Sequence, residues 1–309
     1  MSDLPPSLAR TPALDRWIEV GSDGKIVIST GKVEIGQGIL TALRLIAAEE
    51  LDVEPQQIRM KTAETGVTPD EKVTAGSMSI EDSGAAVRQA CAWARRLMLE
   101  KVADQLDQLE VNAGVVTGER LNAPTSYVEI QAGKMFDHVV TELTTEKPPV
   151  SYRLLGRDGH ARLDLDAKIR GKGVFIQDLE FPGMMHGRVL RPPSYHHRLE
   201  ALELPVNTTR DKLFVDGSFV AALSDDEYRA VVLVNAASRA AIWRQEREIV
   251  CDGTLTNHLV KHETGAYPIV DGVPKRARLR TLSTEINAVY SRPYIMHGSL
   301  GPSAAAARF

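Results

Sequence analysis

Two short segments carry residue types and spacings that suit the binding of an anion. Gly36-Gln37-Gly38 stands immediately before an apolar-periodic stretch. Free N–H groups and the positive dipole end make the start of a helix attractive to negative charge. Glycines let a ligand reach the backbone, and the Gln37 amide both donates and accepts. A lone Gly-x-Gly is also common turn punctuation that merely packs. Thr74-Ala-Gly-Ser-Met-Ser79 repeats the arrangement: small residues, hydroxyls, then a helix start. Alone it reads as an ordinary N-cap. Two such turns close together in the chain predict a joint clasp on a large, phosphate-bearing cofactor between two helix N-termini.

Other chemistry finds little support. His258-Leu-Val-Lys-His262 has the i, i+4 spacing of a metal pair but lacks the Glu of a His-Glu-x-x-His site, and it reads as a solvated surface segment. His196 and His197 are neighbours and would not share a face. Neither Gly-x-Ser-x-Gly nor a Walker-type Gly-Lys-Ser/Thr occurs, so hydrolase and nucleotide-triphosphate chemistry are unsupported. Two cysteines, Cys91 and Cys251, cannot form a disulfide scaffold or a four-cysteine metal or iron–sulfur site.

The elements that must position the two turns follow from periodicity. The proline-rich first fifteen residues read as an extended arm. Residues 17–30 read as a hairpin about Ser22-Asp23-Gly24. Leu40, Leu43, Ala47 and Leu51 recur at helical spacing, and 58–62 reads as a further strand. Ser79-x-x-Asp82 resembles a capping box. Beyond it Ala86, Val87, Ala90, Ala94, Leu97, Met98, Val102 and Leu106 form one apolar helix face, read as core. Residues 114–118 look like a short hairpin, and Lys147-Pro-Pro149 like a linker. In the second half, 162–202 reads as short strands broken by Gly and Pro, 213–223 as strand around Asp216-Gly217, and 227–243 as helix. Residues 251–275 read as polar and irregular and 285–290 as a strand, and the end of the sequence looks cut within a domain.

Composition limits the classes open to this chain. It has 309 residues and a net charge of 37 − 41 = −4. That excludes a strongly basic nucleic-acid binder. With 43% hydrophobic and 25% charged residues, wholesale disorder is excluded too. Aromatic content of 5% argues against base-stacking platforms. No secretory signal is visible, and the longest aliphatic run, 230–237, falls far short of the roughly 20 residues that span a bilayer. The expectation is a soluble, cytoplasmic protein with no nucleic-acid partner and no membrane span.

Gly31-Lys-Val-Glu-Ile-Gly-Gln-Gly-Ile-Leu-Thr41 and Ile46-Ala-Ala-Glu-Glu-Leu-Asp-Val53 resemble the molybdopterin-binding subunit of the xanthine dehydrogenase/aldehyde oxidase family. Thr74-Ala-Gly-Ser-Met-Ser79 with Ser83-Gly84 continues the likeness. Having this module first resembles the isoquinoline 1-oxidoreductase and nicotinate dehydrogenase branch. Residues 171–193, with Asp178, Pro182, Gly183, His186, Gly187, Arg191 and Pro193, then His196, resemble the family's a/b hammerhead domain, and 216–220 continues it. Residues 290–303 resemble the segment that opens the main cofactor domain.

The resemblance implies an α+β (mixed α/β) fold: a cofactor-binding module over 1–149, a hammerhead domain over 150–250, and over 251–309 a linker and the start of a second molybdopterin-binding domain. It implies a molybdenum hydroxylase that oxidises an N-heteroaromatic or aldehyde substrate with oxygen from water. The cofactor would be a molybdopterin cytosine dinucleotide carrying Mo. Gly36, Gln37 and Gly38 would contact the pterin or its phosphate tail, and Gly76, Ser77 and Ser79 would line a second cradle. Electrons would leave through [2Fe–2S] clusters on a separate subunit. The family's later Gln-Gly segment and Gly-Glu-x-x base do not occur here, Ala304 stands where the branch usually has Cys, 204–212 looks shortened, and 250–280 departs from the pattern. A second chain would therefore supply the catalytic Glu. The alternative is a non-enzymatic remnant acting at most as a scaffold or binding module.

Overall fold

The hairpin expected at Ser22-Asp23-Gly24 pairs β1 (Ile18–Val20) with β2 (Ile26–Thr30), Ile18 opposite Ile28 and Val20 opposite Ile26. Gly24 takes the left-handed conformation the turn requires, φ +80°, and Asp23 Oδ1 accepts the Lys25 N–H at 3.1 Å. β3 (Ile58–Thr62) then lies parallel to β2, Ile26 against Ile58 and Thr30 against Thr62. A parallel pair needs a crossover, and α2 (Ile39–Leu51) supplies it. The computed structural model describes residues 4–248 apart from 104, 106, 107, 174 and 205–210, together with 253–261, 288, 290, 295, 298, 301 and 303–308.

The chain divides into two compact units, 1–172 and 173–309. In the first, α2 buries Ile39, Leu43, Ala47 and Leu51, one face at helical spacing. α3 (Ala85–Glu100) packs against α2 and buries Ala86, Val87, Ala90, Ala94 and Met98; Leu97 and Val102 are only half-buried, and Leu106 lies outside the described residues. The alanines let the two helices approach closely. Trp17, Leu8, Leu14, Ile28, Leu43 and Met98 form the centre of the core. Each such aliphatic side chain contributes about 1.5–3 kcal/mol through burial. β4 (Leu109–Asn112), β5 (Val115–Gly118) and β6 (Thr125–Ser126) make a small antiparallel sheet, followed by α4 (Tyr127–Gln131) and, later, α5 (Leu165–Ile169).

Two expectations change here. The proline-rich start is not an extended arm. Pro6 opens a short helix, α1 (Pro6–Arg10), because its fixed φ and missing N–H suit a first helical position. Leu4, Leu8 and Leu14 are buried in the main core. The Ser79-x-x-Asp82 capping box does not form either. Ser79–Gly84 is a π-helical turn leading into α3, and the buried Asp82 carboxylate instead accepts Ser7 N–H and Ser7 Oγ–H, both at 2.7 Å. A partner distant in sequence outcompeted the local cap.

The division at 172/173 falls later than the Lys147-Pro-Pro149 linker. Residues 147–155 lie in the first unit, where Lys147 and Arg153 bind acidic residues at the C-terminal end of α2.

In the second unit β10 (Phe219–Ser224) runs antiparallel between β7 (His186–Leu190) and β9 (Asp211–Asp216), and the β9–β10 turn sits at Asp216-Gly217 as the sequence predicts. β8 (His197–Leu202) pairs antiparallel with β11 (Ala241–Gln245). α6 (Glu227–Ala240) is capped by Asp226, whose side chain accepts the Arg229 N–H, and covers β7 and β10. It stops short of the predicted Trp243 because Ile242 and Trp243 join β11. Leu190, Val220 and Ala237 centre a smaller core. Within the stretch read as irregular, Leu255–Lys261 forms α7 and carries His258; Cys251, His262 and nearly all of 263–300 lie outside the described residues, as does most of 204–212. The fold is α+β with several small sheets. Among the described residues no helix is long and apolar enough to cross a membrane.

Candidate cofactor-binding site

The first turn, 32–38, carries the chain from β2 into α2. Gly36 and Gly38 both adopt left-handed backbone, φ +105° and +80°, which favours glycine at each. Their N–H groups converge, as expected for a helix start, but on the protein's own carboxylate. Glu34 Oε1 accepts Gly36 N–H at 2.9 Å and Gly38 N–H at 2.8 Å. Gln37 folds back into the turn, accepting Ile35 N–H at 2.7 Å and donating to Val33 O at 3.0 Å.

Arg162 lies over the same turn. Its Nη1 donates to Gly36 O at 2.8 Å, and its Nη2 is 3.7 Å from Glu34 Oε1. The guanidinium also holds Asp164 in two hydrogen bonds, keeping that carboxyl well below the usual range. Leu163 N–H donates to Thr41 Oγ1 at 3.1 Å. The positive end of α2 thus meets an internal anion, which is itself paired with a cation.

The second turn, 74–79, treats its donors differently. Gly76 and Ser77 are both left-handed, φ +67° and +59°. For serine that conformation costs about 1–2 kcal/mol. The N–H groups of Gly76 and Ser77 and the hydroxyls of Ser77 and Ser79 make no hydrogen bond among the described residues. Ser79 opens the π-turn, and at its far end Gly84 faces α2, where a Cβ would sit 3.3 Å from Ile46 Cδ1.

The two turns are brought together. Val33 N–H donates to Thr74 Oγ1 at 3.1 Å, and Lys32 Nζ donates to Val73 O at 3.0 Å. Gly36, Gln37, Gly38, Gly76, Ser77 and Ser79 therefore belong to two adjoining loops of one unit. Sequence reading missed Glu34, Lys32, Glu71 and Arg162. A signal for Glu34 existed: an acid two residues ahead of a Gly-x-Gly can reach its amides. No local pattern announces the others.

The opposite end of α2 concentrates charge. Glu49 accepts N–H groups of Arg153, Leu154 and Leu155 and pairs with Lys147 at 2.7 Å. Burial alone would raise its pKa, but Lys147 and those three amides hold it down at about 2. Burial pushes Glu50 up, opposed by the Lys147 N–H and by Arg88. Beside this network lies a cleft of about 530 Å³ lined by Asp52, Arg95, Arg96, Thr144 and Lys147 among others. None of its lining residues belongs to either turn.

The class of the first unit comes from similarity to known proteins. Residues 5–154 match the family model of the molybdopterin cofactor-binding domain. This segment is a molybdopterin cofactor-binding domain of the molybdenum hydroxylase family. The chain is similar to a nicotinate dehydrogenase subunit of Pseudomonas putida, 30% identical over 315 residues, covering 95% of this chain and 26% of that protein. It is similar as well to the beta chain of isoquinoline 1-oxidoreductase of Brevundimonas diminuta, 27% identical over 226 residues, covering 57% and 28%. The chain spans about a quarter of the length of these relatives. Among solved structures, quinoline 2-oxidoreductase from Pseudomonas putida 86 matches with 20% identity and a TM-score of 0.31, over 37% of this chain and 15% of that one.

Proposed function

We propose that this chain is the N-terminal portion of a molybdenum hydroxylase acting on an N-heteroaromatic or aldehyde substrate, and that its two turns hold a molybdopterin cytosine dinucleotide. The observation that carries the reading is the junction of the turns, Val33 to Thr74, inside a molybdopterin cofactor-binding domain. When bound, the cofactor supplies the molybdenum centre at which oxygen from water is transferred to carbon.

The residues present suit such a group unequally. Unengaged donors at Gly76, Ser77 and Ser79 fit a phosphoryl or pterin oxygen as they stand. Gly36 and Gly38 fit one only when Glu34 leaves their amides, with Gln37 turning outward beside them. This chain's part is therefore to bind and orient. We assign the catalytic Glu to a second molybdopterin-binding chain and the [2Fe–2S] clusters to a further subunit. The a/b hammerhead domain would occupy 150–250, with a linker and the start of a second molybdopterin-binding domain over 251–309, and the complex would work in the cytoplasm.

The test is to purify the full chain alone and co-expressed with a molybdopterin-binding partner chain, then measure molybdenum by elemental analysis and pterin by its oxidised fluorescence. Near-stoichiometric pterin and metal are expected in the complex. Absence of both from the complex would sink the reading.

A further inference from the structure

We propose that Lys32 and Glu71 are positioning residues whose task is to hold the 74–79 turn against the 32–38 turn. The inference rests on the reading that these turns bind the cofactor. The 69–74 segment runs beside the end of β2 without being a strand of its sheet. Side chains attach it instead. Thr30 Oγ1 and Gly31 N–H both donate to Glu71 Oε2 at 2.5 Å. Lys32 Nζ donates to Glu71 O at 2.7 Å and to Val73 O at 3.0 Å.

Both residues are nearly cut off from water, at 1% and 2% exposure. Neither has an ion-pair partner among the described residues, and Glu71 Oε1 is buried without any hydrogen bond. Buried charge of this kind is costly. Where folding alone is at stake, apolar side chains of similar volume serve as well or better. What the polar arrangement supplies is a fixed offset between two stretches of backbone. The attached segment needs that restraint, because Lys72 and Ser77, on either side of the contact with Val73 and Thr74, both sit at positive φ, +58° and +59°. The approach is also close: a Cβ on Gly31 would lie 2.5 Å from Pro69 O.

The experiment uses the full chain, with amide hydrogen exchange and thermal melting as readouts, and the co-expressed complex, with pterin content as a third. Lys32→Met and Glu71→Leu are expected to speed exchange of the Gly31 and Val33 amides, which donate to Glu71 and Thr74, at least tenfold while leaving 26–28 and 86–98 as protected as before. Pterin occupancy should fall at least fivefold. Glu71→Gln, which keeps an acceptor for Thr30 and Gly31, should restore most of the protection. If Lys32→Met does not fold, Thr74→Val removes only the Val33 acceptor and should give the same local signature, more weakly. Unchanged exchange of the Gly31 and Val33 amides, or loss of protection spread evenly over the unit, would overturn the assignment. If the wild-type complex holds no pterin, the functional reading fails, while the exchange data still judge the positioning role.

Discussion

Two glycine-bearing turns lead into two packed helices of the first unit, and they dispose of their backbone donors in opposite ways. At 34–38 the amides of Gly36 and Gly38 are taken by Glu34, and Arg162 closes over them. At 74–79 the corresponding groups make no hydrogen bond among the described residues, and Ser77 bears backbone strain. The difference lies in what precedes each glycine. A carboxylate two residues ahead of Gly36 folds back, whereas the residue two ahead of Gly76 is Thr74, whose hydroxyl oxygen is occupied by Val33 N–H. At the Gly-x-Gly before α2 the chain's own acid takes the amides, and the turn before α3 carries no acid in the matching place.

The contrast can be sharpened first at the far end of α2, where Glu49 also accepts backbone amides but is fully buried and paired with Lys147. Glu49→Gln should destabilise the unit by about 3 kcal/mol in urea denaturation at neutral pH. The pH dependence has a definite sign. The folded pKa, about 2, lies below the ordinary 4.5, so the unfolded chain binds more protons between those values. The stability Glu49 contributes is complete above about pH 4.5 and is lost as pH falls toward 2. Glu50, whose pKa is raised by burial, works the other way and in a different window: its contribution rises as pH falls toward 4.5 and is complete below it. Glu49→Gln should flatten this acid limb; an unaltered slope would place it elsewhere.

A smaller effect is expected from Glu34→Ala, which makes the first turn resemble the second. Losing the carboxylate at the start of α2 should cost about 1 kcal/mol, and the amides of 36–40 should exchange faster. If they keep their protection, Glu34 is not what occupies them. Smallest of all, Ser77→Gly should stabilise by a few tenths to about 1 kcal/mol, since relief of the positive φ is partly offset by glycine's greater freedom when unfolded. A loss of stability would mean the serine hydroxyl has a role the turn geometry does not reveal.

Elements whose partners are near in sequence were legible. The β1–β2 hairpin follows from Asp23-Gly24, and α2 and α3 from apolar spacing, because a turn and a helix face are local properties. The site was legible as two turns but not as a pair. Their junction depends on Lys32 and Glu71, buried charges that look like surface residues in a sequence. Likewise Asp82 had a plausible local role as a cap and took a remote one. The start of the chain misled for the same reason: Pro5 and Pro6 suit an arm or a first helical turn equally, and the buried Leu4, Leu8 and Leu14 decided it.

The bond between Ser7 and Asp82 spans 75 positions. During synthesis α1 leaves the ribosome long before its acceptor exists, and closing so long a loop is entropically costly until the helices between have collapsed. The opening segment must therefore wait at least until Asp82 has been made before it can take its place. Any fusion or label attached just ahead of Leu4 would be felt less by the sheet than by the π-turn that Asp82 anchors.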